Sequence, residues 1–165
     1  MSILVLGVGN ILLTDEAIGV RVVEALAQRF HLPEDVEVLD GGTAGMELLD
    51  AMANRDHLII ADAIVSRKSE PGRVIILRDD EVPTLFSNKI SPHQLGLADV
   101  LSALRFTGEF PAKLTLIGVT PASLEPHIGM TPVVEASLDS ALAAVVDALA
   151  ESGVVLTPRE AAYAQ

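Results

Sequence analysis

The chain of 165 residues has no cysteine and no tryptophan, and only 3% of it is aromatic. Without cysteine it has no disulfide framework, thiol nucleophile or thiolate metal site. The shortage of rings leaves a core of Leu, Ile, Val and Ala. That suits helices packed on a Val/Ile-rich sheet better than an all-β sandwich. Basic residues are also scarce: 11 Lys and Arg stand against 23 Asp and Glu, a formal net charge of −12. Nucleic acid is therefore not an expected partner, because phosphate contacts need clustered Lys and Arg. The acidic surplus fits plain solubility. No uninterrupted apolar run approaches the ~18–20 residues that span a membrane. The amino terminus lacks a basic n-region and meets Gly7, Gly9 and Asn10 early, unlike a signal peptide. A soluble cytoplasmic protein with no membrane partner is expected.

What is present is apolar and periodic. Half the residues are apolar, enough for one ordinary domain that buries roughly 70% of its unfolded surface. Apolar runs at Ile3–Val8, Val36–Leu39, Leu58–Ala61, Val74–Leu77 and Leu114–Val119 predict five strands, and an unbroken one such as Ile3–Leu6 fits a strand covered on both faces. A helix opening near Thr14 or Asp15, either of which can cap it, carries the apolar stripe Ile18, Val22, Ala25 and Leu26. A short helix is predicted over Gly45–Ala53. A third begins at Ser91-Pro92-His93-Gln94, with Ser91 as N-cap, Pro92 at N1 and Gln94 closing a capping box. Its apolar face is Leu95, Leu97, Val100, Leu101 and Leu104. The last helix follows Thr131-Pro132 and runs from Val133 to about Ala150.

One connection breaks the alternation. Only the polar segment Ser66–Gly72 separates Ala63-Ile64-Val65 from the run at Val74. A parallel crossover needs about a dozen residues, so the fourth strand is expected to be antiparallel. The fold class is α/β, a three-layer α/β/α sandwich around a mixed five-stranded sheet. Residues 1–153 form the single domain and 154–165 a loosely held tail.

Two site chemistries compete. Gly7-x-Gly9 after the first strand, with Asp40 after the second, invites a dinucleotide-binding reading and hence an oxidoreductase. The fingerprint then fails, because Leu12 stands where the third glycine belongs and Asp15 and Glu16 repel a pyrophosphate. In the alternative, Glu16, Asp40 and Asp62 converge at the carboxyl ends of their strands. His93, at N2 of its helix, is kept neutral by the helix dipole and so is in the metal-binding form. Two carboxylates and one imidazole suit a divalent transition metal such as nickel or zinc. Each residue also has an ordinary structural use, as a helix-start acid, a turn cap or a first-turn residue. His57 and His31 are expected to be structural, and His127 is a reserve site candidate. No Gly-x-Ser-x-Gly elbow supports a serine hydrolase.

Gly7-x-Gly9-Asn10, Asp15-Glu16-Ala17-Ile18-Gly19, Asp40-Gly41-Gly42-Thr43, Asp62-Ala63 and Ser91-Pro92-His93 together resemble the NiFe-hydrogenase maturation endopeptidase family, over nearly the whole chain. The resemblance implies a phosphorylase/hydrolase-like sheet in the order 2-1-3-5-4, with strand 4 antiparallel. It implies Glu16, Asp62 and His93 as metal ligands, and Gly41, Gly42 and Thr43 beside Asp40 as a substrate-recognition or cleavage loop. The implied activity is nickel-dependent removal of the C-terminal extension of a hydrogenase large-subunit precursor. The nickel is supplied by that substrate, although other divalent metals can occupy such a site. Metal-assisted hydrolysis, with Asp40 or Glu16 activating water, and an aspartyl-type mechanism both remain open. A monomer is expected. A nickel carrier without catalysis is the other reading of the same residues.

Overall fold

A computed structural model describes residues 1–65, 69–82 and 92–159, with the side chains of all but 92–95. Its strands are β1 (Ile3–Val8), β2 (Phe30–His31), β3 (Val36–Gly42), β4 (His57–Ala63), β5 (Val74–Arg78), β6 (Lys113–Val119) and β7 (Thr157–Pro158). Its helices are α1 (Ile18–Arg29), α2 (Leu49–Met52), α3 (Pro92–Thr107), α4 (Pro132–Glu135) and α5 (Leu138–Glu151). Among the described residues, five strands form the main sheet in the order β3-β1-β4-β6-β5. With the two-residue β2 set aside, this is the order 2-1-3-5-4. β1 pairs in parallel with β3 and β4, and β4 with β6, whereas β5 is antiparallel to β6. The short polar connection predicted that reversal.

Alternation along the strands divides the core into two layers. Ile3 and Val5, with Ile59, Ala61 and Ala63, pack with α1 and α5; Leu4, Leu6 and Val8, with Leu58 and Ile60, pack with α3. The predicted face of α1 is buried in full at Ile18, Val22, Ala25 and Leu26, as is that of α3 at Leu97, Val100, Leu101 and Leu104. Leu95 and Ser91 lie outside the residues described at that level. Gly19 brings α1 onto the sheet: a β-carbon there would sit 2.2 Å from the Ala61 carbonyl oxygen and 2.5 Å from that of Val8. None of the described helices is long and apolar enough to cross a membrane.

Three local expectations are corrected. Neither Thr14 nor Asp15 caps α1: both lie in a 3-10 turn, Thr14–Ala17, that leads into the helix without a side-chain cap. The 45–53 helix is a 3-10 turn, Met46–Leu48, followed by the single turn α2. The last helix is interrupted at Ala136-Ser137, where the Ser137 hydroxyl donates to the Gly72 carbonyl oxygen. Residues up to 159 make contacts with the rest of the fold. Leu156 is buried, β7 pairs with β2, and Arg159 Nε donates to the carbonyl oxygens of Ala27 and Phe30 at 3.1 and 3.0 Å. Residues 160–165 are outside the described residues.

Candidate functional site

The carboxyl ends of β1, β3, β4 and β6 form one edge of the sheet, where open α/β folds gather ligands. Gly9 ends the first strand's turn with a φ of +137°, a conformation open to glycine and little else. A β-carbon at Gly9 would lie 1.9 Å from the Glu16 carbonyl oxygen. The turn therefore folds directly over Glu16, which is buried, and the Asn10 amide donates to Glu16 Oε1 at 3.1 Å. Asn10 Oδ1 in turn accepts from the Leu12 amide at 2.9 Å, which fixes the loop.

Asp62 is 1% exposed near the end of β4. It follows the alternation of Leu58 and Ile60, on the side of the sheet covered by α3. Its Oδ1 accepts from the Ala63 amide at 2.8 Å. The 3-10 turn carrying Glu16 packs against β4, so the two buried carboxylates belong to adjoining elements.

Asp40 has a different setting. Between Gly7 and Val8 the β1–β3 register slips, so that Gly7 faces Asp40 and Val8 faces Gly42. This bulge uses Gly42 at a φ of +51°, and such bulges re-aim side chains near sites. Asp40 is exposed, and its Oδ1 accepts from the Gly42 amide at 2.9 Å. It lines a pocket of about 260 Å³ together with Gly9, Asn10, Ile11, Val20, Gly42 and Thr43. Gly41 is buried instead, facing Leu6, Leu48 and Val8.

α3 starts at Pro92, as expected from a proline at N1. Gly96 abuts Gly45: a β-carbon on Gly45 would be 3.3 Å from the Gly96 α-carbon. The first turns of α3, which include the backbone of His93, therefore rest on the loop that follows Asp40. The His93 side chain lies outside the described residues. Among the described residues, no group of three or more His, Asp and Glu is arranged to hold a metal ion. Of the expected ligand set the structure describes Glu16 and Asp62 as side chains and His93 as backbone.

His127 is exposed, and its amide donates to the Leu12 carbonyl oxygen at 2.9 Å, so its loop does reach this edge. His31 is exposed in β2. His57 is fully buried at the opposite edge, with Nδ1 at 2.6 Å from Ser152 Oγ and Nε2 at 2.8 Å from Thr115 Oγ1. Burial, and then the Lys113 charge, lowers its pKa to about 4, against weaker opposing effects of Glu151 and Asp79. It is a neutral structural brace.

Three features escape the sequence. Asp15 is fully buried and accepts backbone hydrogen bonds from Ala122, Ser123 and Thr131. Asn10 links the Asp40 pocket to Glu16. Thr120, buried just past β6, has a hydroxyl oxygen with no hydrogen-bond partner among the described residues. The adjacent acids Asp15 and Glu16 are the one signal of the first, and they are equally well explained as helix-start charges.

Comparison with known proteins follows the same lines. The family model described as HycI, hydrogenase maturation protease, matches residues 20–148. The hydrogenase 2 maturation protease of Escherichia coli (strain K12) is 76% identical over 163 residues, which cover 99% of each chain. The solved structure of the hydrogenase maturating endopeptidase HybD from E. coli superposes with a TM-score of 0.95, covering 97% of this chain and 99% of that one at 76% identity. The NiFe hydrogenase maturation protease HybD from Thermococcus kodakarensis has a TM-score of 0.73 at 25% identity, covering 88% and 97%.

Proposed function

The chain belongs to the hydrogenase maturation protease family and is an endopeptidase, and from that premise we propose that it cuts the C-terminal extension from a NiFe-hydrogenase large-subunit precursor once nickel has been inserted. The observation that carries this reading is the presence of two buried carboxylates, Glu16 and Asp62, on adjoining elements at a sheet edge where Asp40 stands exposed in a neighbouring pocket. Nickel enters as part of the substrate. Glu16, Asp62 and His93 complete its coordination, and a precursor without nickel offers them no anchor.

The chemical roles divide by environment. Glu16 is buried and engaged by the Asn10 amide, which suits a ligand held in one orientation. Asp40 is exposed beside Gly42 and Thr43, which suits a general base that meets water. In this reading Asp40 takes a proton from water as the oxygen bonds to the scissile carbonyl carbon. It returns that proton to the departing amide nitrogen when the C–N bond breaks. Gly42 and Thr43 line the space the peptide occupies, while Gly41 supports the bulge from below. Asp40 thus works as a single base rather than as half of an aspartyl-type pair. The reading extends to a cytoplasmic monomer.

A nickel carrier without catalysis and a dinucleotide-dependent oxidoreductase both fall to the family membership. The second also faces two buried acids, Asp15 and Glu16, where a pyrophosphate would bind. The direct experiment is mass measurement of nickel-loaded precursor before and after incubation with the enzyme. Loss of one terminal peptide supports the reading, and an unaltered mass contradicts it.

A further inference from the structure

The crevice has a second wall, built from residues 121–131 after β6, with no part in the chemistry above. Its attachment is dense. Asp15 Oδ2 accepts from the amides of Ala122 and Ser123 at 2.8 and 3.0 Å, and Oδ1 from that of Thr131 at 2.7 Å. The Thr131 hydroxyl also donates to this carboxylate, at 2.8 Å from Oδ2. A fully buried carboxylate is tolerated only with such compensation. One residue earlier, Thr14 is held at a φ of +50°, unusual for a β-branched residue. Its amide donates to the His127 carbonyl oxygen at 2.9 Å and its hydroxyl to that of Glu125. The two loops are thereby locked into one composite wall across more than a hundred residues of sequence.

The outer side of this wall carries exposed apolar side chains beside Glu125 and His127. Leu124 is 39% exposed and Ile128 is 70% exposed on one loop; Ile11 and Leu12 are exposed on the other. The parallel backbone bridge between Leu13 and His127 sets Leu12 opposite Pro126 and Thr14 opposite Ile128. Ile11 also lines the Asp40 pocket, so the loop bonded to residues 125–127 reaches that pocket. Exposed apolar clusters of this kind mark protein-contact surfaces.

We propose that the 121–131 loop is a specificity-determining wall of the cleavage site, positioned by the Asp15 carboxylate and gripping an apolar surface of the precursor through Leu124 and Ile128. The inference rests on the function proposed above and names its recognition element. The occupant is the precursor, because the loop bonded to this wall lines the proposed cleavage pocket through Ile11.

The test is steady-state cleavage of nickel-loaded precursor by wild type, Leu124→Ser/Ile128→Ser, Asp15→Asn and the control Phe106→Ser. Phe106 is 93% exposed near the end of α3, at the opposite edge of the sheet. The double variant should raise KM about tenfold and keep kcat within about twofold, the pattern of lost uniform binding. Asp15→Asn sets an NH2 group either against the Ala122 and Ser123 amides or against the Thr131 amide and should raise KM at least as much. The control should match wild type. Thermal melts establish whether Asp15→Asn is folded; if it is not, the double variant, altered only at exposed positions, decides. An unchanged KM in the double variant overturns the proposal, as does a loss in kcat alone. So does light scattering that shows a wild-type dimer dissolved by the double variant with KM unaffected. A folded Asp15→Asn with wild-type KM removes the clasp from the proposal. Failure of wild type itself to cut would sink the proposed function, whereas normal wild-type cutting with unchanged variants sinks this inference alone.

Discussion

Gly9 and Glu16 meet through the backbone: a β-carbon at Gly9 would stand 1.9 Å from the Glu16 carbonyl oxygen, and the next amide, that of Asn10, donates to Glu16 Oε1. The glycine is thus what lets the turn close over a buried carboxylate. Gly9→Ala should cost roughly 1–3 kcal/mol in stability, from φ strain and the forced shift. It should also reduce cleavage at temperatures where the variant is still folded, because the turn that fixes Glu16 must move. Urea denaturation and cleavage assays check both, and wild-type values for each would contradict the packing argument.

The division of labour among the acids predicts distinct phenotypes. Asp40→Asn should keep the complex with nickel-loaded precursor and lose cleavage by about 100-fold or more, as expected for a general base. Glu16→Gln and Asp62→Asn should lose the complex itself. Native gels paired with mass measurement separate the two outcomes. Undiminished cleavage by Asp40→Asn removes that carboxylate from the mechanism.

Thr120 carries a buried hydroxyl oxygen without a partner among the described residues. Thr120→Val replaces it with a methyl group of similar shape and breaks no hydrogen bond. Stability should be unchanged or rise by about 1 kcal/mol. A loss of more than about 1 kcal/mol in denaturant titration would reveal a bonded hydroxyl.

His57 supplies a pH dependence. Its folded-state pKa of about 4 lies below the ordinary 6.5, so between these values the unfolded chain binds the extra proton. Stability should therefore be insensitive to this group above pH 6.5 and fall as pH drops from 6.5 towards 4, by up to about 3 kcal/mol. The slope of denaturation midpoint against pH should be shallower in His57→Gln. Equal slopes in the two proteins would show that the imidazole does not drive the loss.

How much of this was legible in the sequence depends on the range of the interactions. The apolar runs at Ile3, Leu58 and Leu114 are local signals of buried strands, and they became the central strands of the sheet. The seven-residue polar stretch Ser66–Gly72 was enough to reverse β5. The strand order itself was implied by family resemblance, not by the runs. Asp15 was misjudged as a helix cap because capping is a local competitor. The winning partners, Ala122, Ser123 and Thr131, lie 107, 108 and 116 residues away. The break at Ser137 has the same cause, a hydroxyl drawn to Gly72 across the fold. Leu156 could seat the 154–159 stretch only because Phe30-His31 offered an edge for Thr157-Pro158 to pair with. Among the site acids, the position of Asp62 followed directly from the end of its strand. The exposure of Asp40 required the bulge, which no local pattern specifies beyond two glycines.

The central claim is that the enzyme reads nickel in its substrate before cutting. The most direct test incubates nickel-loaded and nickel-free precursor side by side with the same enzyme and measures the product masses. Loss of the terminal peptide from the loaded precursor alone is the predicted result; equal cleavage of both precursors, or of neither, contradicts it.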